Sequence, residues 1–303
     1  MKSMILGILI ILFISATAFS DMGAILPDGK INLTEPAQRA IIAHDGFTEI
    51  LILSTDFEVS QGTKAIRFIP FPSEVKVKEG NTNIFKALEE LIKKYNISYL
   101  KFLKGGAPQK EGIKIITNQT LGPHKVIQVK VSDENVFFEW IQKLFKESNI
   151  SKKEFGPKEK NIVKYYLSKG FTYFVFDIVD LSKGINSITP LIYEFDTRYF
   201  YYPLVTSSLF PETGNIELFI FSDRGEILEK LSYFSLPHPW KRSETKIITW
   251  EDMEKISPYI AKLMGKHAIF GVFKYQGTYD IENDIWLKIP SYELKPYYPT
   301  RKR

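Results

Sequence analysis

The sequence predicts an α+β protein in which antiparallel β-sheets, an opening meander plus later strands, are packed by three or four helices. Short apolar runs at 40–43, 50–53 and 65–71 are separated by His44-Asp45-Gly46 and Ser60-Gln61-Gly62-Thr63, the pattern of consecutive strands joined by turns. Aromatics are plentiful, with 23 Phe and 16 Tyr, and these side chains suit half-buried pleated surfaces. Between the strand-like stretches, apolar residues recur at helical spacing in 84–95, 136–145, 162–167 and 250–263.

In chain order, residues 1–20 read as an export signal. Lys2 supplies the charged start, 5–14 the apolar run, and Ala18-Phe19-Ser20 the small residues of a cleavage site, which predicts Asp21 as the mature N-terminus. The alternative, an uncleaved N-terminal anchor, calls for roughly 20 apolar residues, and this run is shorter. No later stretch is long and apolar enough to span a bilayer. The third strand should end near Pro70 and Pro72, which cannot donate to a ladder. Asn81-Thr82-Asn83 then offers an N-cap to a helix whose Ile84, Phe85, Leu88, Leu91, Ile92 and Tyr95 share one face.

Residues 104–112 read as a flexible glycine-rich connection without the Gly-Lys-Ser/Thr ending of a phosphate cradle. A strand at 125–131 leads to Ser132-Asp133, which caps a helix striped with Val136, Phe137, Trp140, Ile141, Leu144 and Phe145. Pro157 opens a further helix that Gly170 closes. The run FTYFVFDIV at 171–179 is apolar on both faces and predicts a central strand. Strands at 191–195, 200–207 and 216–221 follow. Thr249 and Asp252 resemble a capping box at the start of a helix that Pro258 should kink and Gly265 should end, before last strands at 268–274 and 285–289. The domain division this suggests is 1–20 signal, 21–110 meander plus helix, 111–290 a C-terminal α+β part, separate from or continuous with the first, and 291–303 a basic tail.

The whole chain has 303 residues, enough to bury about three quarters of its unfolded surface. Its net charge of +5 is scattered rather than clustered, which argues against nucleic acid as a partner. There is no cysteine, so disulfides, thiolate metal sites and a lipid-modified cysteine are excluded.

An ordered set of motifs resembles a known family. Ala37-Gln38-Arg39, Pro70-Phe71-Pro72-Ser73, Leu121-Gly122-Pro123-His124 and Tyr201-Tyr202-Pro203-Leu204 together are similar to the secreted family catalogued as domain of unknown function 2330. The resemblance implies export and carries over no catalytic residue, since that family has no assigned activity. The chain departs from many bacterial relatives in having no cysteine after the signal and in ending Thr300-Arg301-Lys302-Arg303 rather than in an apolar anchor.

Candidate chemistry is sparse. His44, His124, His238 and His267 show no metal-ligand spacing, and no Gly-x-Ser-x-Gly elbow is present. Asp280, Glu282 and Asp284 alternate like the start of a calcium loop, but Ile285 and Ser291 stand where Gly and Glu are needed, so a solvated strand edge is expected. Asn32, Asn96, Asn118 and Asn149 head N-glycosylation sequons, and His238 with Trp240, between prolines and lysine, forms a candidate contact surface. No catalytic, cofactor or metal residue is assigned and no cofactor is expected. The function expected is a secreted or envelope binding or structural protein with an extracellular ligand; the alternative is an envelope hydrolase whose carboxylates are distant in sequence.

Overall fold

The computed structural model of the protein describes residues 23–25, 27, 31, 33–98, 118–121, 124–152, 154–209, 213–231, 240–278 and 282–289. The export signal, the glycine-rich connection and the basic tail lie outside these residues. In chain order the first elements are β1 (Gly23–Ile25), β2 (Leu33–His44), β3 (Thr48–Val59), β4 (Thr63–Phe71), β5 (Val75–Glu79) and α1 (Asn83–Lys94). Then come β6 (Asn118–Leu121), β7 (His124–Lys130), α2 (Glu134–Glu147), α3 (Pro157–Ser168), β8 (Tyr173–Leu181), β9 (Gly184–Ser187), β10 (Leu191–Asp196) and β11 (Tyr199–Tyr202). A 3-10 turn (Val205–Leu209) precedes β12 (Thr213–Ser222), α4 (Gly225–Lys230), β13 (Lys241–Arg242) and β14 (Lys246–Thr249). Last are α5 (Trp250–Ile256), α6 (Pro258–Met264), β15 (His267–Thr278) and β16 (Ile285–Lys288).

The strands form a five-stranded sheet ordered β1-β4-β8-β7-β6, a nine-stranded sheet with the path β13-β15-β12-β2-β3-β10-β5, and the ribbon β11-β16. The class is α+β with antiparallel sheets packed against helices. Six α-helices stand among the described residues where three or four were expected, because α4 was not anticipated and Pro258 divides one helix into two.

The opening three strands are a hairpin, not a meander. β2 and β3 pair from His44↔Glu49 outward, but β4 leaves them for the other sheet, between β1 and β8. The place beside β3 is taken instead by β10 and β9. β2 also runs parallel to β12, the one departure from antiparallel pairing in this sheet among the described residues, and the long intervening chain makes that crossover feasible. Both large sheets draw strands from either side of residue 110.

Alternation along each strand decides what the faces meet. Ala40 and Ile42 of β2 join the core shared with the five-stranded sheet, whereas Ile41 and Ala43 join α1, α5 and α6 on the opposite face. β8 lies at the centre of its sheet, as expected of 171–179, with Phe174 and Phe176 fully buried. Phe137 of α2 packs at 5.2 and 5.9 Å from their rings. Asp133 caps α2, its Oδ1 accepting from Asn135 N (2.7 Å) and Val136 N (3.1 Å), while Val136 itself is exposed. β4 ends at Phe71, between the two prolines.

Candidate functional site

Pro258 does not kink a helix; it starts a new one. Ser257 is extended (φ −159°, ψ 124°), so the chain breaks between α5 and α6 with Pro258 in the first turn of the second helix. Opposite this break, β5 ends and α1 begins. Gly80 carries the turn there: its N–H donates to Pro190 O at 2.7 Å, and a Cβ would lie 2.6 Å from the same oxygen. Between the two breaks lies an open cavity of about 350 Å³. Ile84, Ile192 and Ile256, all buried, form its apolar floor. Glu79, Asn81 and Asn83 stand on one wall; Glu254, Ser257 and Tyr259 stand on the other.

Ser257 is 1% exposed and its Oγ has no hydrogen-bond partner. A serine at a helix N-cap ordinarily accepts from an N–H in the first turn, and this one makes no such bond. An idle buried hydroxyl costs free energy unless something else fills it. The cations near the groove are already engaged. Lys255 pairs with Asp252 at 2.8 Å, and Lys78 pairs with Glu194 while lying 4.1 Å above the Tyr259 ring. Burial pushes the Asp252 carboxyl up, but hydrogen bonds from Lys255, Lys94 and Tyr95 outweigh it and hold the group down at about 2. Glu79 and Glu254, in contrast, are exposed and have no ion pair among the described residues.

Two further polar clusters lie inside the fold. Arg67 of β4, 2% exposed, donates to Asp177 of β8 through Nε at 2.8 Å and through Nη2, and Asp177 is 0% exposed. His124 Nδ1 lies 2.9 and 3.0 Å from the two Asp177 oxygens, and its Nε2 lies 2.8 Å from Thr189 O. Burial pushes Asp177 up, yet Arg67 and His124 outweigh it and hold the carboxyl below its usual range.

The second cluster grips residues 199–205. His44 Nδ1 accepts from Gly46 N at 2.8 Å, so Nε2 carries the proton and donates to Tyr199 O at 3.2 Å. Tyr201 N donates to Glu49 Oε2 at 2.8 Å, leaving the buried Oε1 without a partner. Asp284 Oδ1 accepts from Leu204 N, Val205 N and Tyr166 Oη, each at 2.8 Å. Burial lowers His44 to about 4, raises Glu49 well above the carboxylate range, and raises Asp284 to about 6 against its three donors. Because the folded Asp284 holds its proton more tightly than the unfolded chain does, its contribution is full below about 3.8 and is lost as pH rises through about 6. His44 acts oppositely, its contribution being full above about 6.5 and lost as pH falls through about 4. Asp284→Asn keeps the acceptor and removes the titration. The stability difference between wild type and this variant is therefore expected to change by about 2 kcal/mol between pH 4 and pH 7, in denaturant unfolding at each pH; a pH-independent difference would contradict it.

The other residues singled out in the sequence fall as follows. Asn96 (φ 50°) and Asn149 (φ 54°) are exposed and sit just past the ends of α1 and α2, where the left-handed backbone itself favours asparagine. Asn118 begins β6; Asn32 and His238 lie outside the described residues. Trp240, half-buried, packs against the core, its ring 5.2 Å from Tyr275 and its Nε1 buried without a partner. Asp280 lies outside the described residues and Asp284 is no solvated strand edge, since it binds the amides that start the 3-10 turn. Thr249 makes no side-chain cap bond to α5. Sequence reasoning missed Glu79, Glu254, Ser257 and Tyr259. The signal for the last two was Ser257-Pro258 inside a helical pattern, a dipeptide that favours a chain break.

Among the described residues no group of three or more histidine, aspartate or glutamate side chains converges as metal ligands would, and no helix is long and apolar enough to cross a membrane. No family model matches the chain, and no curated protein matches it significantly. Among solved structures, the crystal structure of baculovirus P35 is similar at a TM-score of 0.40 and 10% sequence identity, over 86% of this chain and 97% of that chain.

Proposed function

We propose that the chain is a non-enzymatic ligand-binding protein of the cell envelope or extracellular space, and that the groove between the β5–α1 turn and the α5–α6 break is its ligand site. The observation that carries this is the Ser257 hydroxyl, buried beside the cavity and unused by the fold. An apolar floor with a few convergent polar groups is the usual make-up of a small-ligand site, and about 350 Å³ is near the lower end of the usual range. The two carboxyls with raised pKa, buried Glu49 and half-buried Asp284, are committed to backbone amides and do not line the groove, which favours binding over hydrolysis. The export-like pattern of residues 1–20 and the motifs resembling a secreted family support the location.

The test is a methyl-resolved NMR titration of the full chain with five probes: a primary amine, a guanidine, a methyl glycoside, acetate and inorganic phosphate. Saturable shifts of the Ile84, Ile192 and Ile256 δ-methyls with at least one probe, recovered chemically unchanged, are expected. Absence of such shifts with all five would overturn the groove as a ligand site.

A further inference from the structure

We infer that the groove takes a cationic group, an ammonium or guanidinium, held between the Glu79 and Glu254 carboxylates with the Ser257 hydroxyl accepting one of its N–H bonds. This rests on the groove being the ligand site and goes further by naming the chemistry of what enters it.

The charges of the lining decide the class. Of its three charged side chains, Lys255 is drawn to Asp252, which leaves two carboxylates facing the space. The opposing influences are the N-termini of α1 and α6, each worth about half a positive charge at most, and the C-terminus of α5 at Ile256 offsets the second, which leaves the α1 end. That end is already partly satisfied, since Asn83 N donates to Asn81 Oδ1 at 2.8 Å and Ile84 N donates to Asn81 O at 3.0 Å. Two full negative charges therefore outweigh it, and an anion would meet repulsion from both walls. A neutral polyol would leave both carboxylates uncompensated, whereas an ammonium or guanidinium supplies donors to each of them.

Ser257 carries an independent constraint. Its Oγ is buried and partnerless, and every hydrogen on an ammonium or guanidinium nitrogen is a donor, so the hydroxyl can accept from the ligand. The apolar floor of Ile84, Ile192 and Ile256 suits the alkyl stem that carries such a group in a lysine or arginine side chain or in a simple alkylamine. The Tyr259 ring is occupied on one face by Lys78 and so contributes a wall rather than a second cation site.

The experiment compares pentylamine, the peptide acetyl-Gly-Lys-Gly-amide, its norleucine counterpart, methyl glucoside and inorganic phosphate, by calorimetry and by the same isoleucine methyls. Both amines are expected to bind and the norleucine peptide is not; tighter binding of the lysine peptide would point to a basic side chain of a partner, and tighter binding of pentylamine to a free amine. The double variant Glu79→Gln with Glu254→Gln is expected to weaken amine binding about tenfold at low salt, and high salt should erase most of that difference. Ser257→Ala is expected to weaken binding by a smaller factor without lowering the melting temperature of the free protein. Equal binding of the lysine and norleucine peptides, or unchanged amine affinity in the double variant, would overturn the inference. Binding of phosphate or glucoside at the isoleucine methyls without amine binding would overturn the cationic class and leave the groove standing; no binding by any probe would remove both.

Discussion

Asp177→Ala is expected to destabilise the protein by about 3–5 kcal/mol, the typical cost of breaking a buried ion pair by removing one partner. The aspartate is 0% exposed and receives Arg67 through two nitrogens and His124 through one. Removing it takes away the carboxylate that receives two Arg67 nitrogens, and the neighbouring Phe57 ring, 6.0 Å away, cannot replace it. The double variant Arg67→Met with Asp177→Leu removes both charges of the pair and is expected to cost less than Asp177→Ala alone, because neither charge of that pair is then left buried without the other. Urea unfolding of the two variants and wild type decides it. A double variant as unstable as the single one would mean that the pair contributes directed attraction rather than merely avoiding a penalty. Since Asp177 is held below its usual range, its contribution is present above the unfolded value near 3.8 and fades as pH falls below it, so the loss in Asp177→Ala should shrink in acid.

Phe176→Ala carries an expected loss of similar size, about 3–5 kcal/mol, for a different reason. Its ring lies 5.3 Å from Trp140, 5.9 Å from Phe137 and 6.0 Å from Phe68, so truncation opens a cavity between the central strand and α2 that rigid neighbours on both sides cannot close. Val136→Ala, on the exposed flank of the same helix, serves as the control and should fall within about 0.5 kcal/mol of wild type. Melts showing equal, small effects for both variants would remove β8 from the centre of the core.

Much of the local structure was legible in the sequence, because it depends on neighbours in the chain. The strand at 171–179, the cap at Asp133, the helix from Pro157 and the end of β4 at the Pro70–Pro72 pair all follow from spacing, capping and proline geometry within a few residues. The groove was less legible. Ser257-Pro258 signalled a break, but the kink expected there and the full break observed differ only in whether Ser257 leaves helical angles, and that is set by the packing of α6 beneath the sheet.

The charged residues within apolar strands show the same division. Arg67 in AIRFIP and Asp177 in FVFDIV each interrupt a core strand, and burying either alone would be prohibitive. Each is legible as an anomaly in its own strand; only their cross-strand pairing, Arg67↔Asp177, explains both, and it joins residues 110 positions apart.

By itself, then, the sequence determined most of the longer strands and helices and that the class is α+β, since periodicity, capping and turn chemistry act over a few residues, whereas several of the short strands, α4 and the 3-10 turn after β11 were not legible in it. Tertiary structure alone decided that β4 deserts the hairpin for a second sheet, that β2 runs parallel to β12, and that the β5–α1 turn meets the α5–α6 break across a cavity. A turn specifies that the chain reverses but not which edge it joins; that choice is settled by burial and charge pairing between residues far apart in the chain, whose partners no local pattern names.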